Sequence, residues 1–444
     1  MEKIYETSVQ KTDIEATKNF ESTTLLGNNT KKVAKISCDG LEKEQKTLQK
    51  QRDSRKKRYS AQSVCRDYLI FMEKQDYLKE GKDPKDFYWG QKQKTIKCIH
   101  TPISTDVRVL KSAQYKKAHY KNLTVCGRVW PCPTCAHRIQ QKRRAEVSKA
   151  FDYAKEHGWL VNMVTLTFSH SKNDSLSINL ENMAKATKSF NQQINKKFKK
   201  NIDLKGSIRA LEVTFSEKNG WHPHNHILYL SGNKLTDEDT RLIKKAWKNA
   251  CSKNGLLDLS DKKAVLNFDL HSVDVEVNMV QQEYLTKFDD VFEKNEKKGT
   301  DLNAISYEIA SNSTKIGKKS GIHPHELLMK RSTRNRDLFI EYVRAFRGKK
   351  QLSWSHGLKK LVGIEDKTDE EVVQEEEDKA EDEQAIISLE EWRLVIKNNK
   401  RVDVLERMED GGVVLVRHLI ESLSRDEIDG LDEDLRYLLG LEEY

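Results

Sequence analysis

The chain has 444 residues, of which 36% are hydrophobic and 33% are charged, and its formal net charge is +10. This length allows two to four domains, and no apolar run reaches the roughly 18 residues that a transmembrane helix needs, which excludes an integral helical membrane protein. Because the N-terminus MEKIYETSVQ lacks the pattern of a signal peptide, we expect a cytoplasmic protein without a membrane partner.

The charge is unevenly distributed along the chain. Residues 365–444 contain 27 acidic and 10 basic side chains, a net charge of −17, so residues 1–364 carry +27. A basic body with an acidic tail favours a nucleic acid as the partner of the body.

Changes in composition predict five parts. They are a polar and disordered or singly helical region 1–60, a basic segment with cysteines 61–145, the main folded domain 146–364, an acidic linker 365–385 and a small helical module 386–444 with no assigned role. The linker is defined by its 12 acidic residues among 21.

Cysteines cluster in the second part. Cys132-Pro-Thr-Cys135 is typical of a knuckle that presents two thiolates to one zinc ion, and Cys126 can supply a third ligand. The fourth ligand is Cys98 or His100, with His137 as a further candidate. Such clustering favours a structural zinc site over disulfides or unpaired buried thiols in an intracellular protein.

A basic helix is predicted directly after the knuckle, over residues 137–157, and it ends at Gly158. Its cations could lie along DNA phosphates. They are Arg138, Lys142, Arg143 and Arg144.

The next elements predict an α+β fold, with a central and mostly antiparallel sheet flanked by helices. In chain order they are a strand at 159–168, an amphipathic helix at 180–198, a strand at 207–215, a turn at 218–220, a histidine-rich strand, a helix capped by Thr236 and Asp239, a strand at 265–277 and a helix at 278–291.

The histidine-rich strand contains His222, His224 and His226 at alternate positions. Alternate side chains of a strand share one face, and imidazole is the commonest metal ligand among side chains. The three histidines therefore predict a metal site rather than an ordinary surface strand, with His222 nearer the turn and the weaker candidate.

The preceding strand carries Glu212. In a hairpin that turns at Lys218-Asn219, Glu212 is expected opposite Asn225, beside His224 and His226. A mixed set of imidazole and carboxylate ligands suits Mn²⁺ or Mg²⁺ holding a phosphate better than a closed zinc site.

A nucleophile for that phosphate is expected on the last predicted helix, where Tyr284 and Lys287 share one face. A nearby cation and a metal-polarised phosphate make an otherwise poor tyrosine nucleophile effective.

Three ordered motifs now resemble one family. Val164-Thr-Leu-Thr167, the run from Glu212 to His226, and Tyr284-x-x-Lys287 look like the replication initiators of rolling-circle plasmids, which are HUH endonucleases of the single-tyrosine type. The cysteine segment and residues 352–358 are similar as well, so the resemblance covers roughly residues 95–365, with residues 146–364 as the nicking and DNA-binding domain.

The resemblance implies roles for the site residues. His224, His226 and Glu212 would hold the cation, and Tyr284 would attack the double-strand origin of a plasmid or phage, keep the 5′ end as a phosphotyrosine and free a 3′-hydroxyl primer. Lys287 would steady the phosphate or help to activate the tyrosine. The implied partners are origin DNA, single-stranded or extruded as a hairpin at the nick, and a host helicase and DNA polymerase.

Two positions depart from the family pattern. Asn225 stands where family members carry an apolar residue, and a buried asparagine needs a hydrogen-bond partner. Val280 stands where some members carry a glutamate that activates water at termination.

Other functions share some of these features. An HUH transposase or mobilisation relaxase would use the same chemistry on different DNA, although transposases of this kind often use two tyrosines. A zinc-containing DNA-binding protein without catalysis is the second alternative. A metallohydrolase of small substrates is disfavoured by the basic charge.

Overall fold

The computed structural model describes residues 30–112, 117–194, 197–277, 321–375 and 383–423. The chain divides into the units Met1–Gln51 and Arg52–Tyr444, and the sheets and sites described below lie in the second. Within the described ranges, no helix is long and apolar enough to span a membrane.

Helices and strands alternate in an α+β arrangement, as predicted. The helices are α1 (Thr30–Lys79), α2 (Pro133–Glu156), α3 (Leu176–Gln193), α4 (Lys197–Asn201), α5 (Asp237–Lys253), α6 (Lys262–His271), α7 (Thr333–Ala345), α8 (Leu358–Leu361), α9 (Asp369–Glu375), α10 (Leu389–Lys397) and α11 (Arg401–Ser422). The strands are β1 (Asp106–Lys111), β2 (Ala118–Lys121), β3 (Leu160–Leu166), β4 (Leu204–Ser216), β5 (Gly220–Ser231), β6 (Val273–Glu276), β7 (Leu352–Trp354) and β8 (Glu383–Ser388).

The strands form two antiparallel sheets. The larger sheet has the order β6-β3-β5-β4-β7, and the smaller one has the order β2-β1-β8. The prediction of a mostly antiparallel sheet flanked by helices is therefore confirmed, and the second sheet was not predicted.

The hairpin of β4 and β5 is the centre of the larger sheet. Ser216 pairs with Gly220, so three residues form the turn. Gly220 has φ +74, and a Cβ there would lie 2.9 Å from the Cα of Lys172, so both the backbone conformation and the space favour glycine.

The two faces of this sheet have different cover. On one face, which we call the α2 face, Val161, Met163, Ile208 and Leu228 pack against α2 and α8. The other face, which we call the α3 face, packs against α3 and α5 through residues such as Ile227. The strands β3 and β5 are buried on both sides, which explains their apolar runs.

The smaller sheet joins distant parts of the sequence. Strand β8 pairs with β1 from Asp106↔Ser388 to Lys111↔Glu383. The buried guanidinium of Arg401 on α11 donates to the carbonyl of Ile99 at 2.9 Å and to the side-chain oxygen of Gln62 at 3.0 Å. Residues 383–423 thus pack on the layer that contains the cysteines.

The strand predicted over residues 265–277 is wrong for most of its length. Residues 262–271 form α6, and only Val273–Glu276 form a strand. The Asp261 carboxylate accepts hydrogen bonds from the backbone N–H groups of Lys263 and Ala264, which is a helix N-cap.

Asn225 lies on the α3 face and is buried there. Its side-chain amide donates to Thr187 Oγ1 at 3.0 Å, and the Thr187 hydroxyl donates to the carbonyl of Met183 at 2.7 Å. The partner that a buried asparagine requires is therefore present on α3.

We expect Thr187→Val to lower the free energy of unfolding by about 1–3 kcal/mol, because the amide of Asn225 would then be buried without an acceptor. Thr187→Ser, which keeps the hydroxyl, should cost clearly less. Urea denaturation measures both, and equal stability of the two variants would contradict this hydrogen bond's contribution.

Candidate metal sites

Four cysteines converge in the interior of the protein. The sulfur atoms of Cys98, Cys126, Cys132 and Cys135 all lie within 4.8 Å of one another, and all four residues are buried. The Sγ of Cys98 lies 3.5 Å from that of Cys135 and 3.6 Å from that of Cys132. Four sulfurs placed tetrahedrally at ~2.3 Å from one ion would be ~3.8 Å apart, so this group could hold a metal such as zinc.

Local backbone geometry explains why these cysteines meet. Cys132 is the N-cap of α2, Pro133 fills the first helical position and Cys135 follows within the first turn. Both thiols therefore lie at the N-terminus of α2. Cys98 and Cys126 precede residues with left-handed backbone, Ile99 at φ 50 and Gly127 at φ 59.

The thiols differ in their acidity. Burial opposes ionisation of Cys132, but hydrogen bonds from Cys126, Cys135, Cys98 and Thr134 outweigh burial and hold its pKa well below the ordinary value. The group thus already favours one thiolate, the form that binds a metal. The alternative ligand His100 lies outside this group; its carbonyl accepts a hydrogen bond from Trp392 Nε1.

A second group lies on the α2 face of the larger sheet. Ligand atoms of Glu212, His224 and His226 all lie within 4.8 Å of one another, and the three residues are buried. Glu212 Oε2 is 3.1 Å from His224 Nε2 and 3.4 Å from His226 Nε2. Two ligands at right angles and ~2.1 Å from a cation would be about 3.0 Å apart, so the spacing fits a small divalent ion.

The contacts of His224 fit a positive charge next to Glu212. Its Nδ1 lies 3.3 Å from the carbonyl oxygen of His222, and a carbonyl only accepts, so Nδ1 carries the hydrogen. Its Nε2 lies 3.1 Å from Oε2 of Glu212. A hydrogen on Nε2 can be donated to that carboxylate, and a metal ion between Nε2 and the carboxylate can take the place of that hydrogen.

Glu212 itself is prepared for a positive partner. Burial alone would raise its pKa, but the Coulombic attraction of His226 and hydrogen bonds with His224 and His226 outweigh burial, so its pKa lies well below the ordinary value. Its other oxygen, Oε1, is buried and has no hydrogen-bond partner among the described residues. A buried carboxylate oxygen of this kind is suited to bind a cation.

The structure gives His222 other partners. Its Nδ1 lies 2.6 Å from His170 Nε2, and its Nε2 lies 3.3 Å from Thr167 Oγ1. Both ring nitrogens thus face protein atoms, and His222 is not in the group that Glu212, His224 and His226 form.

The register of the hairpin differs from prediction by one residue. Glu212 pairs with His224 rather than with Asn225, and Leu211 pairs with Asn225. Cross-strand partners share a face, so Glu212 and His224 point the same way and the predicted proximity holds.

Tyr284, Lys287 and Val280 lie outside the described residues. The nucleophile and the missing glutamate therefore stay sequence predictions.

Two of the four cations on α2 that are expected to contact DNA phosphates are buried. Arg143 and Arg144 are buried, and Arg143 donates to Glu146 at 2.9 Å and to Asp369 of α9 at 2.9 Å. Lys142 is exposed and Arg138 is half-buried, so phosphate contact stays a prediction for these two. Arg143 and Arg144 would first have to leave their buried positions.

Sequence reasoning missed the residues behind the histidines. Thr165 Oγ1 lies 2.9 Å from His226 Nδ1, just as Thr167 contacts His222. The signal was available, because Thr165 and Thr167 alternate on one strand as the histidines alternate on its neighbour. No comparable signal pointed to His170.

Comparisons with known proteins show similarity to replication proteins. Residues 93–253 match the family described as "Replication protein". The chain is 22% identical over 303 residues to the "Protein rep" of Streptomyces lividans, an alignment that covers 54% of this chain and 64% of the relative. It is 30% identical over 138 residues to a "Neomycin resistance protein" of Streptomyces cyanogenus, which covers 25% of this chain and 31% of that protein.

The chain thus spans less than two thirds of either relative. No solved structure matches it. The family match includes both metal-site groups and ends before Tyr284, and it confirms the resemblance to replication proteins over that segment.

We expect Cys132→Ala to lose the metal held by the four cysteines, because three thiolates leave the coordination open. Elemental analysis of purified protein measures the metal directly. Cys251→Ala is the matched control, since Cys251 is equally buried but lies on α5, in the core of the α3 face. Equal metal content in both variants would contradict the assignment.

Proposed function

From the replication-protein family that residues 93–253 match, we propose that this chain initiates rolling-circle replication of a plasmid or phage. It nicks one strand at the double-strand origin as an HUH endonuclease of the single-tyrosine type, and it can rejoin the strand. The observation that carries the proposal is the buried group of potential metal ligands formed by Glu212, His224 and His226.

The two metal groups have different roles in this proposal. Four thiolates favour zinc and satisfy its tetrahedral preference, so the cysteine group would stabilise the fold. The carboxylate and two imidazoles suit Mg²⁺ or Mn²⁺. A divalent ion bound there supplies the polarisation of a phosphate and offsets the charge that develops on it.

Tyr284 is the proposed nucleophile, and the length of the chain is compatible with this role. The last residue of β6, Glu276, pairs with Met163 on β3, and β5, which carries His224 and His226, is the next strand. The seven Cα–Cα steps from Val277 to Tyr284 can span about 23–25 Å when extended. On the C-terminal side of Tyr284, the next described segment begins beside the same hairpin. There Ile322 pairs with Phe215 of β4, three residues beyond Glu212.

The proposed step is a transesterification. The phenolic oxygen of Tyr284 forms a bond to the scissile phosphorus as the bond to the 3′ oxygen breaks, and the phenol proton is lost while the departing 3′ oxygen gains one. Lys287 would steady the negative phosphate. Because the phosphotyrosine retains the bond energy, the 3′-hydroxyl can reverse the step without ATP.

The partners follow from the charge and the chemistry. The net charge of +27 on residues 1–364 favours origin DNA as the substrate. The DNA would be single-stranded or extruded as a hairpin, so that the scissile phosphate can reach the candidate cation site on β4 and β5. A host DNA polymerase would extend the freed 3′ end, and a host helicase would unwind the duplex. We place this replication in the cytoplasm.

We expect Tyr284→Phe to abolish the covalent protein–DNA adduct, because phenylalanine has no oxygen to attack with. Labelled single-stranded oligonucleotides from the chain's own replicon, incubated with Mn²⁺ or Mg²⁺, reveal the adduct on denaturing gels. Tyr88→Phe is the control, since Tyr88 is exposed and lies outside both metal groups. An adduct that survives Tyr284→Phe would sink the nucleophile assignment, and no adduct from folded wild-type protein would favour a non-catalytic DNA-binding protein.

We expect Glu212→Gln to slow adduct formation about 10²-fold or more, because a neutral amide removes the charge that holds the cation. DNA binding, measured by fluorescence anisotropy, should change less than about threefold. The matched control is Glu217→Gln at the exposed tip of the same hairpin, where Glu217 forms an ion pair with Arg334. Equal rates for both variants would count against the site.

A further inference from the structure

The hydroxyl of Thr165 stands directly behind one of the candidate ligands. Thr165 on β3 is the cross-strand partner of His226 on β5, and its Oγ1 lies 2.9 Å from His226 Nδ1. The other ring nitrogen, Nε2, faces Glu212 Oε2 at 3.4 Å. The imidazole is therefore held between a hydroxyl and the carboxylate of the candidate cation site.

A metal imposes one tautomer on this ring. If Nε2 binds a cation, Nε2 must be free of hydrogen, so Nδ1 carries the hydrogen and needs an acceptor. A threonine hydroxyl can supply that acceptor. Without a cation, the opposite tautomer is possible, in which Nε2–H donates to Glu212 and the hydroxyl donates to Nδ1.

We propose that Thr165 is a positioning residue that selects the metal-binding tautomer and orientation of His226. The proposal rests on the cation site proposed above. Thr165 touches neither the phosphate nor the cation in this role; it accepts the Nδ1 hydrogen and so directs the Nε2 lone pair toward the space shared with Glu212 and His224.

The neighbouring groups show why this position is distinctive. The tautomer of His224 is already fixed by the carbonyl of His222, which can only accept. The partner of His226 is the hydroxyl of Thr165, which can either donate or accept, so the ring of His226 can change tautomer when a cation binds. A valine at position 165 would remove the hydrogen-bond partner of Nδ1 in both tautomers. The tautomer with Nε2–H would still donate to Glu212, whereas the metal-binding tautomer would bury its Nδ1 hydrogen without an acceptor, so valine would weaken the loaded state more than the cation-free one.

The test is the affinity of the full-length, zinc-containing chain for Mn²⁺, measured without DNA from the electron paramagnetic resonance signal of free Mn²⁺. We expect Thr165→Val to weaken Mn²⁺ binding about 10–100-fold, the usual effect of removing a group that orients a metal-binding histidine. Thr165→Ser keeps the hydroxyl and should bind within about threefold of wild type. Thr167→Val is the matched control directly after β3, because its hydroxyl contacts His222, and it should also bind like wild type.

The outcomes separate the two proposals. If His224→Ala abolishes Mn²⁺ binding and Thr165→Val leaves it unchanged, the cation site stands and the role of Thr165 is overturned. If Thr167→Val or Thr165→Ser weakens binding as much as Thr165→Val, the effect comes from packing of β3, and the proposal is again overturned. If wild type and His224→Ala bind Mn²⁺ equally, the cation site itself is wrong.

Discussion

The register of β4 against β5 determines which side chains meet at the candidate cation site. With Glu212 opposite His224, a carboxylate and two imidazoles meet on the α2 face. A shift of one residue would turn every side chain of a strand to the opposite face. It would place the histidines against the apolar helices α3 and α5 and bring Asn225 to the site. The hydrogen bond from Asn225 to Thr187 stabilises the observed alignment, because it gives that amide a partner only on the α3 face.

Two candidate metal centres with different potential ligands occur in the same folded unit, and their chemistry suits different tasks. The cysteine group is closed by four sulfurs and lies in a core that also contains Trp392 and Val404 of the C-terminal segment. Its ligands leave no position for a substrate. The second centre has three protein ligands and a carboxylate oxygen without a hydrogen-bond partner in the described ranges, so an ion there would have positions left for a phosphate.

The sequence was sufficient where local chemistry decides the structure. Thr236 and Asp239 form the predicted capping box, and the knuckle at Cys132 and Cys135 begins a helix as its proline suggests. The alternation of His224 and His226 placed them on one face. These features depend on neighbours in the chain, so their spacing carries the information.

The differences between the predictions and the structure have physical causes that the spacing of residues in the sequence does not reveal. The hairpin register was predicted one residue off because a two-residue turn was assumed, whereas Gly220 permits three. Residues 265–271 alternate in polarity well enough to suggest a strand, yet Asp261 caps a helix there, with Leu266 and Leu270 exposed. Nothing local indicates that Arg401 binds the carbonyl of Ile99, since that contact depends on the assembled fold.

The pairing of β1 with β8 has a consequence for biosynthesis. Asp106 and Ser388 are neighbours in the sheet although 282 positions separate them. At about 5–20 residues per second, a ribosome needs roughly 15–55 s to deliver the second strand after the first has been made. During that interval the hydrogen-bonding edge of β1 is open to other nascent chains, so the yield of correctly assembled protein should depend on translation speed and on protection of that edge.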